Sequence, residues 1–168
     1  MGKKFFYTVL FITISTLFNC ALAQKSKGSL YFFHGTDDVN FCDKDSLIGS
    51  DCITGNIYLT DAGKAIYIYY CCCDNPRIYN IGSYIKTDNK ITCTFVKEYE
   101  EGKKVKKITS WKLELAPINC KEFQYSFTEE SDNGGEKRVT KYAVKKETLK
   151  DKKYFLKEVR NFKQLGDL

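Results

Sequence analysis

The sequence predicts a mostly β chain: a single antiparallel β-sandwich or barrel-like domain of about eight strands, disulfide-stabilised, with one C-terminal amphipathic helix. Three observations carry this. Short aromatic and β-branched runs recur between turn signals along most of the chain, as strands of an antiparallel sheet do. Seven cysteines follow a leader-like N-terminus, and in an oxidising compartment they read first as bridges. Near the C-terminus the apolar spacing changes from two to a mixture of three and four, which is the period of a helix face.

Residues 1–23 read as a secretory signal. Lys3 and Lys4 form a positive head, Phe5 to Phe18 is an apolar run, and Ala21-Leu22-Ala23 is a small-x-small cleavage site. At ~1.5 Å of helical rise per residue the run covers roughly 21 Å, short of a ~30 Å hydrocarbon core, so no membrane span is expected in the mature form. Leu17-Phe18-Asn19-Cys20 faintly resembles a lipoprotein site, but Phe18 and Asn19 stand where such sites favour small residues. Residues 24–168 then form one domain, since no repeat, low-complexity tract or Pro/Gly-rich linker divides them. The expected location is extracellular.

Ser29 to His34 is the first strand, closed by Gly35. Thr36 to Gly55, rich in Asp, Ser and Gly, is too polar to pack alone and reads as a loop tied down by Cys42 and Cys52. Asn56 to Thr60 and Lys64 to Cys73 form a hairpin about Asp61-Ala62-Gly63, where Gly63 suits a positive φ. Within the second of these strands alternation puts Tyr67, Tyr69, Cys71 and Cys73 on one face and Ile66, Ile68, Tyr70 and Cys72 on the other. Arg77 to Lys86 and Ile91 to Glu100 follow as another hairpin, whose plain register sets Cys93 near Tyr84. After the turn at Glu101-Gly102-Lys103 comes a strand from Lys104 to Leu115. Val105, Trp111, Leu113 and Leu115 point inward there, and simple register sets Trp111 near Cys93. Asn119 to Glu130 and Glu136 to Lys146 flank Asn133-Gly134-Gly135, the strongest hairpin signal in the chain. The tail carries Leu149, Phe155, Leu156, Val159 and Phe162 at helical spacing, so a helix is expected over Leu149 to Gln164; a strand over Lys153 to Val159 is the alternative.

The disulfide candidates are Cys42, Cys52, Cys71, Cys72, Cys73, Cys93 and Cys120; an odd count leaves one thiol over. Zinc is disfavoured because no CxxC pair occurs and the single histidine, His34, is eight residues from the nearest cysteine. A vicinal bridge within Cys71-Cys72-Cys73 would be strained and redox-labile, yet its aromatic, β-branched surroundings hold no electropositive niche to activate a thiol. His34 beside Asp37 and Asp38 offers an imidazole and carboxylates, but a strand-end His beside a turn is commonly structural. Asp43 to Gly49 begins like a calcium loop; its glycine falls one place late and no acid closes it. No P-loop, GxGxxG, Ser-His-Asp spacing or Asn-x-Ser/Thr sequon is present. Neither a catalytic constellation nor a cofactor is expected.

Charge is uneven. Residues 24–96 hold 7 Lys/Arg against 8 Asp/Glu, and residues 97–168 hold 18 against 13. Lys103, Lys104, Lys106 and Lys107 could meet a polyanion or a protein partner, although lysines on an edge strand also discourage sheet-to-sheet aggregation. The mild basic balance and the extracellular compartment argue against nucleic acid. The leading expectation is a secreted, cysteine-rich interaction protein that acts by contact with an extracellular protein, in the manner of an effector, toxin or inhibitor. The alternative is a lipocalin-like extracellular carrier of a small apolar ligand, which fits the order of elements but lacks a Gly-x-Trp start, the only tryptophan being Trp111.

Overall fold

The computed structural model describes residues 28–36, 54–70, 76–133 and 136–160 together with Leu165, without the side chains of Thr36 and residues 130–138. The expected signal, the Thr36 to Gly55 loop from residue 37 to 53, the Cys71-Cys72-Cys73 triplet, the turn glycines 134 and 135, and the last expected helical turn, 161–164, lie outside the described residues. Eight antiparallel strands run in order around a closed barrel. They are β1 (Gly28–Thr36), β2 (Thr54–Thr60), β3 (Lys64–Tyr70), β4 (Ile78–Lys86), β5 (Ile91–Glu100), β6 (Lys106–Pro117), β7 (Tyr125–Asn133) and β8 (Glu136–Lys146), followed by the helix α1 (Leu149–Arg160). Of the two architectures the sequence allows, the barrel is the one formed: β1 pairs with β8 from Tyr31↔Lys146 to Thr36↔Lys141 and closes the sheet on itself.

Two apolar layers follow from the period-two patterning. Inside the barrel lie Tyr31, Phe33, Ile57, Tyr67, Cys93, Phe95, Leu113, Leu115, Phe127, Tyr142 and Val144. Outside it, Leu30, Tyr58, Ile66, Ile68, Tyr79 and Tyr99 are roofed by Phe155 and Val159 of α1 and by Leu165. This explains why β3 is apolar almost without interruption: Ala65 and Tyr67 face the interior, while Ile66 and Ile68 face the helix, so neither side meets water. The C-terminal segment forms the expected helix, and the alternative strand over Lys153 to Val159 does not form. Thr148 caps α1 by accepting from the Asp151 amide at 3.3 Å, and Glu158 anchors the helix to β4 through Arg77 and the Tyr79 hydroxyl. Leu149, expected on the apolar face, is 68% exposed; the face that packs is Phe155, Leu156 and Val159.

Gly63 has φ of 77° in the β2–β3 turn, as expected of that position. Gly82 has a different purpose. A Cβ there would stand 1.9 Å from the Thr94 carbonyl oxygen, so only glycine lets β4 approach β5 where their register shifts. At that shift Val96 has no partner on either neighbouring strand. The extra residue reverses the alternation, so that Ile91, Cys93 and Phe95 face inward while Tyr99 faces α1. It also corrects one expected contact. The simple β5–β6 register holds at Glu98↔Lys106 and Lys97↔Lys107, but beyond the bulge it moves by two, pairing Trp111 with Phe95 and Cys93 with Leu113. The expected pairing of Tyr84 with Cys93 is present.

Candidate functional site

The barrel is not equally closed all round. β4 and β5 pair through nine residues each, whereas β6 and β7 pair only at Ala116↔Ser126 and Pro117↔Tyr125. Three β6 residues, 108–110, stand opposite the single Val96, and such a bulge bends its strand. Above Ala116 the two strands separate, and a cavity of about 540 Å³ opens between them into the barrel. That volume lies within the range of small-molecule sites, ~300–1,000 Å³.

Alternation places the lining. On β6, Trp111 and Leu113 point inward while Lys112 and Glu114 stand on the rim; on β7, Phe127 and Glu129 share the inward face. Tyr67 reaches the slot across the barrel from β3. The walls are aromatic: Trp111 stacks at a tilt on Phe95 with centroids 4.5 Å apart and meets Tyr67 edge-on at 5.3 Å, and Phe127 lies flat on Tyr142 at 4.3 Å. Polar groups line it as well: Lys112 and Glu114 from β6, and Ser126, Thr128 and Glu129 from β7. The Tyr142 hydroxyl donates to Glu129 Oε2 at 2.9 Å, and the Trp111 Nε1–H leans towards Asn80 Oδ1 at 3.4 Å. Tyr67 is 6% exposed, yet its hydroxyl has no hydrogen-bond partner among the described residues. No buried side-chain oxygen there is orphaned, so this hydroxyl opens onto the slot. Burial pushes its phenol well above the usual tyrosine range, and the nearby Glu129 carboxylate adds to that.

A second, shallower hollow of about 220 Å³ lies between α1 and β1–β3. Its acids are already engaged: Glu158 holds Arg77 and Tyr79, Asp151 bonds Thr148, and Glu147 shares a hydrogen bond with Asp151. It is a packing crevice of the helix.

The residues singled out from sequence fall elsewhere. Cys42, Cys52, Cys71, Cys72 and Cys73 lie outside the described residues. Cys120, in the β6–β7 connection, is disulfide-bonded. Cys93 corrects the expectation of a bridge: it is a free thiol, 0% exposed, pointing into an aliphatic and aromatic interior. Burial pushes its thiol up to about 12, so it is inert rather than reactive. Lys103 pairs with Glu100 and Lys106 with Glu98 at the β5–β6 hairpin, so the lysine run is partly neutralised by its own hairpin. His34 sits within β1, between Thr54 and Ala143, away from the slot. Period-two reading had already turned Trp111 inward. The overlooked signal is Glu129, a charged residue two places beyond Phe127 on the same inward face.

No family model matches the chain and no curated protein matches it. Among solved structures it is similar to a streptavidin-like protein from Bacteroides eggerthii DSM 20697, with a TM-score of 0.60 and 17% sequence identity over 84% of this chain and 93% of that one. The likeness establishes a streptavidin-like barrel.

Proposed function

We propose that this protein is an extracellular carrier that holds a small, largely apolar ligand in the slot between β6 and β7. The observation that carries the reading is the slot itself: an opening of about 540 Å³ into the barrel, with Trp111, Tyr67 and Phe127 on its walls and polar groups beside them. The streptavidin-like fold supports a binding role, and the leader-like residues 1–23 and the bridged Cys120 support an oxidising, extracellular setting. In native mass spectrometry, protein purified from its source is expected to carry a co-purifying small molecule. An apolar fluorescent dye is expected to bind, with affinity falling in Trp111→Ala and Phe127→Ala. Dye binding that ignores both substitutions would remove the slot from the reading.

One observation favours the contact reading as second choice. Along Lys106 to Leu115 the β6 edge facing β7 has no strand partner among the described residues, and such an edge accepts an extended segment of another protein. Capture of one stoichiometric partner, abolished by proline substitution on that edge, would put this reading ahead of the carrier.

A further inference from the structure

The polar groups of the slot select a kind of ligand, on the reading that the slot is a small-molecule site. Glu129 contributes a carboxylate, which only accepts hydrogen bonds when ionised, and Tyr142 uses one of its positions. Across the slot stands the Tyr67 hydroxyl, nine-tenths buried and unpartnered among the described residues. Trp111 and Phe127 also line the slot, and an aromatic ring, through its negative quadrupole, favours a cation held over its face. Glu129 is exposed to water at the slot, where an anionic head would meet its carboxylate, and a ligand without N–H or O–H donors would leave the buried Tyr67 hydroxyl unmet. We infer that the β6–β7 slot binds a small molecule with a protonated amine on a flat apolar body, the ammonium donating to Glu129 and Tyr67 and the body lying against Trp111 and Phe127. The charge-assisted bond to Glu129 provides selectivity and the aromatic walls provide most of the buried area.

Trp111 is the only tryptophan in the chain, so its fluorescence reports binding at the slot without a label. The full chain would be titrated with phenethylamine, with phenylacetate as the anionic counterpart and ethylbenzene as the headless one. Phenethylamine is expected to bind roughly tenfold or more tighter than ethylbenzene, with phenylacetate weakest. Glu129→Gln is expected to cut phenethylamine affinity about tenfold and leave ethylbenzene within about twofold; Tyr67→Phe, a milder change, costs the amine roughly threefold. Circular dichroism checks that both variants are folded, and Tyr67→Phe keeps the test alive if Glu129→Gln is not. If ethylbenzene perturbs Trp111 and phenethylamine binds no tighter, or if neither variant discriminates between them, the amine class is overturned while the apolar slot stands. If none of the three perturbs Trp111, the small-molecule reading falls and the amine with it.

Discussion

The seams on the two sides of the β5–β6 pair are built differently. Between β4 and β5 nine residue pairs run from Ile78↔Glu100 to Lys86↔Ile91, and Gly82 removes a side chain so that the backbones can approach. Between β6 and β7 only two pairs form, and the aromatic contacts beside the gap lie within the flanking strand pairs, Phe95–Trp111 across β5–β6 and Phe127–Tyr142 across β7–β8. The first seam is held by backbone hydrogen bonds and tolerates no added volume. At the second the strands part and leave a cavity, so the same barrel has one tightly paired side and one open side.

The largest expected effect comes from damaging the tight seam. Gly82→Val drives a Cβ into the Thr94 carbonyl and is expected to cost about 3 kcal/mol or more, measured by denaturant unfolding. On the loose seam, Trp111→Ala is expected to cost about 2 kcal/mol, below the ~3–5 kcal/mol of a fully buried aromatic, because the indole is only half-buried and already borders a cavity. If Trp111→Ala matched or exceeded Gly82→Val, the contrast between the seams would be wrong.

Alkali sharpens the comparison through Cys93, which pairs with Tyr84 on the tight seam. An exposed thiol loses its proton near 9.0, whereas Cys93 keeps its own up to about 12. In that window the native state binds more protons than the unfolded chain. The contribution is therefore fully present below pH 9 and is lost as the pH rises towards 12, at about 1.4 kcal/mol per pH unit for one group. Cys93→Ala should flatten the unfolding free energy over this range relative to the parent. In the folded protein Cys93 should also resist iodoacetamide until denaturant is added; prompt labelling would show that the seam opens.

The smallest effect is expected at the rim. Replacing Lys106 by Ala removes its pair with Glu98, a surface contact whose loss should change stability by less than about 1 kcal/mol. Its consequence lies instead in association: the unpaired β6 edge loses a lysine that keeps other strands away, so light scattering at high concentration is expected to rise.

How much of this was legible beforehand depends on range. The hairpins about Asp61-Ala62-Gly63, Thr87 to Lys90 and Glu101-Gly102-Lys103 could be placed from local turn chemistry, because Gly63 and its like answer a requirement met within a few residues. The inward set Tyr67, Cys93, Trp111, Leu113 and Phe127 followed from alternation, which is equally local. The bulge at Val96 was not legible, since nothing in Thr94-Phe95-Val96-Lys97 marks it and it exists only against its two neighbours. With it went the β5–β6 register and the site. A slot needs two strands to part, and neither β6 nor β7 alone carries that information.

The sequence by itself determined which residues could face inward, where the chain turns, and that one strand, β3, is apolar on both faces. Tertiary structure decided that the sheet closes into a barrel, that α1 covers the outside of β3 while Tyr67 fills the inside, and that Cys93 stays a thiol. It also decided that Glu129, Tyr142, Tyr67 and Trp111 meet around one opening. The physical reason is that periodicity and turn propensity act over a few residues, whereas closure, bulges and gaps are settled by packing between strands distant in the chain.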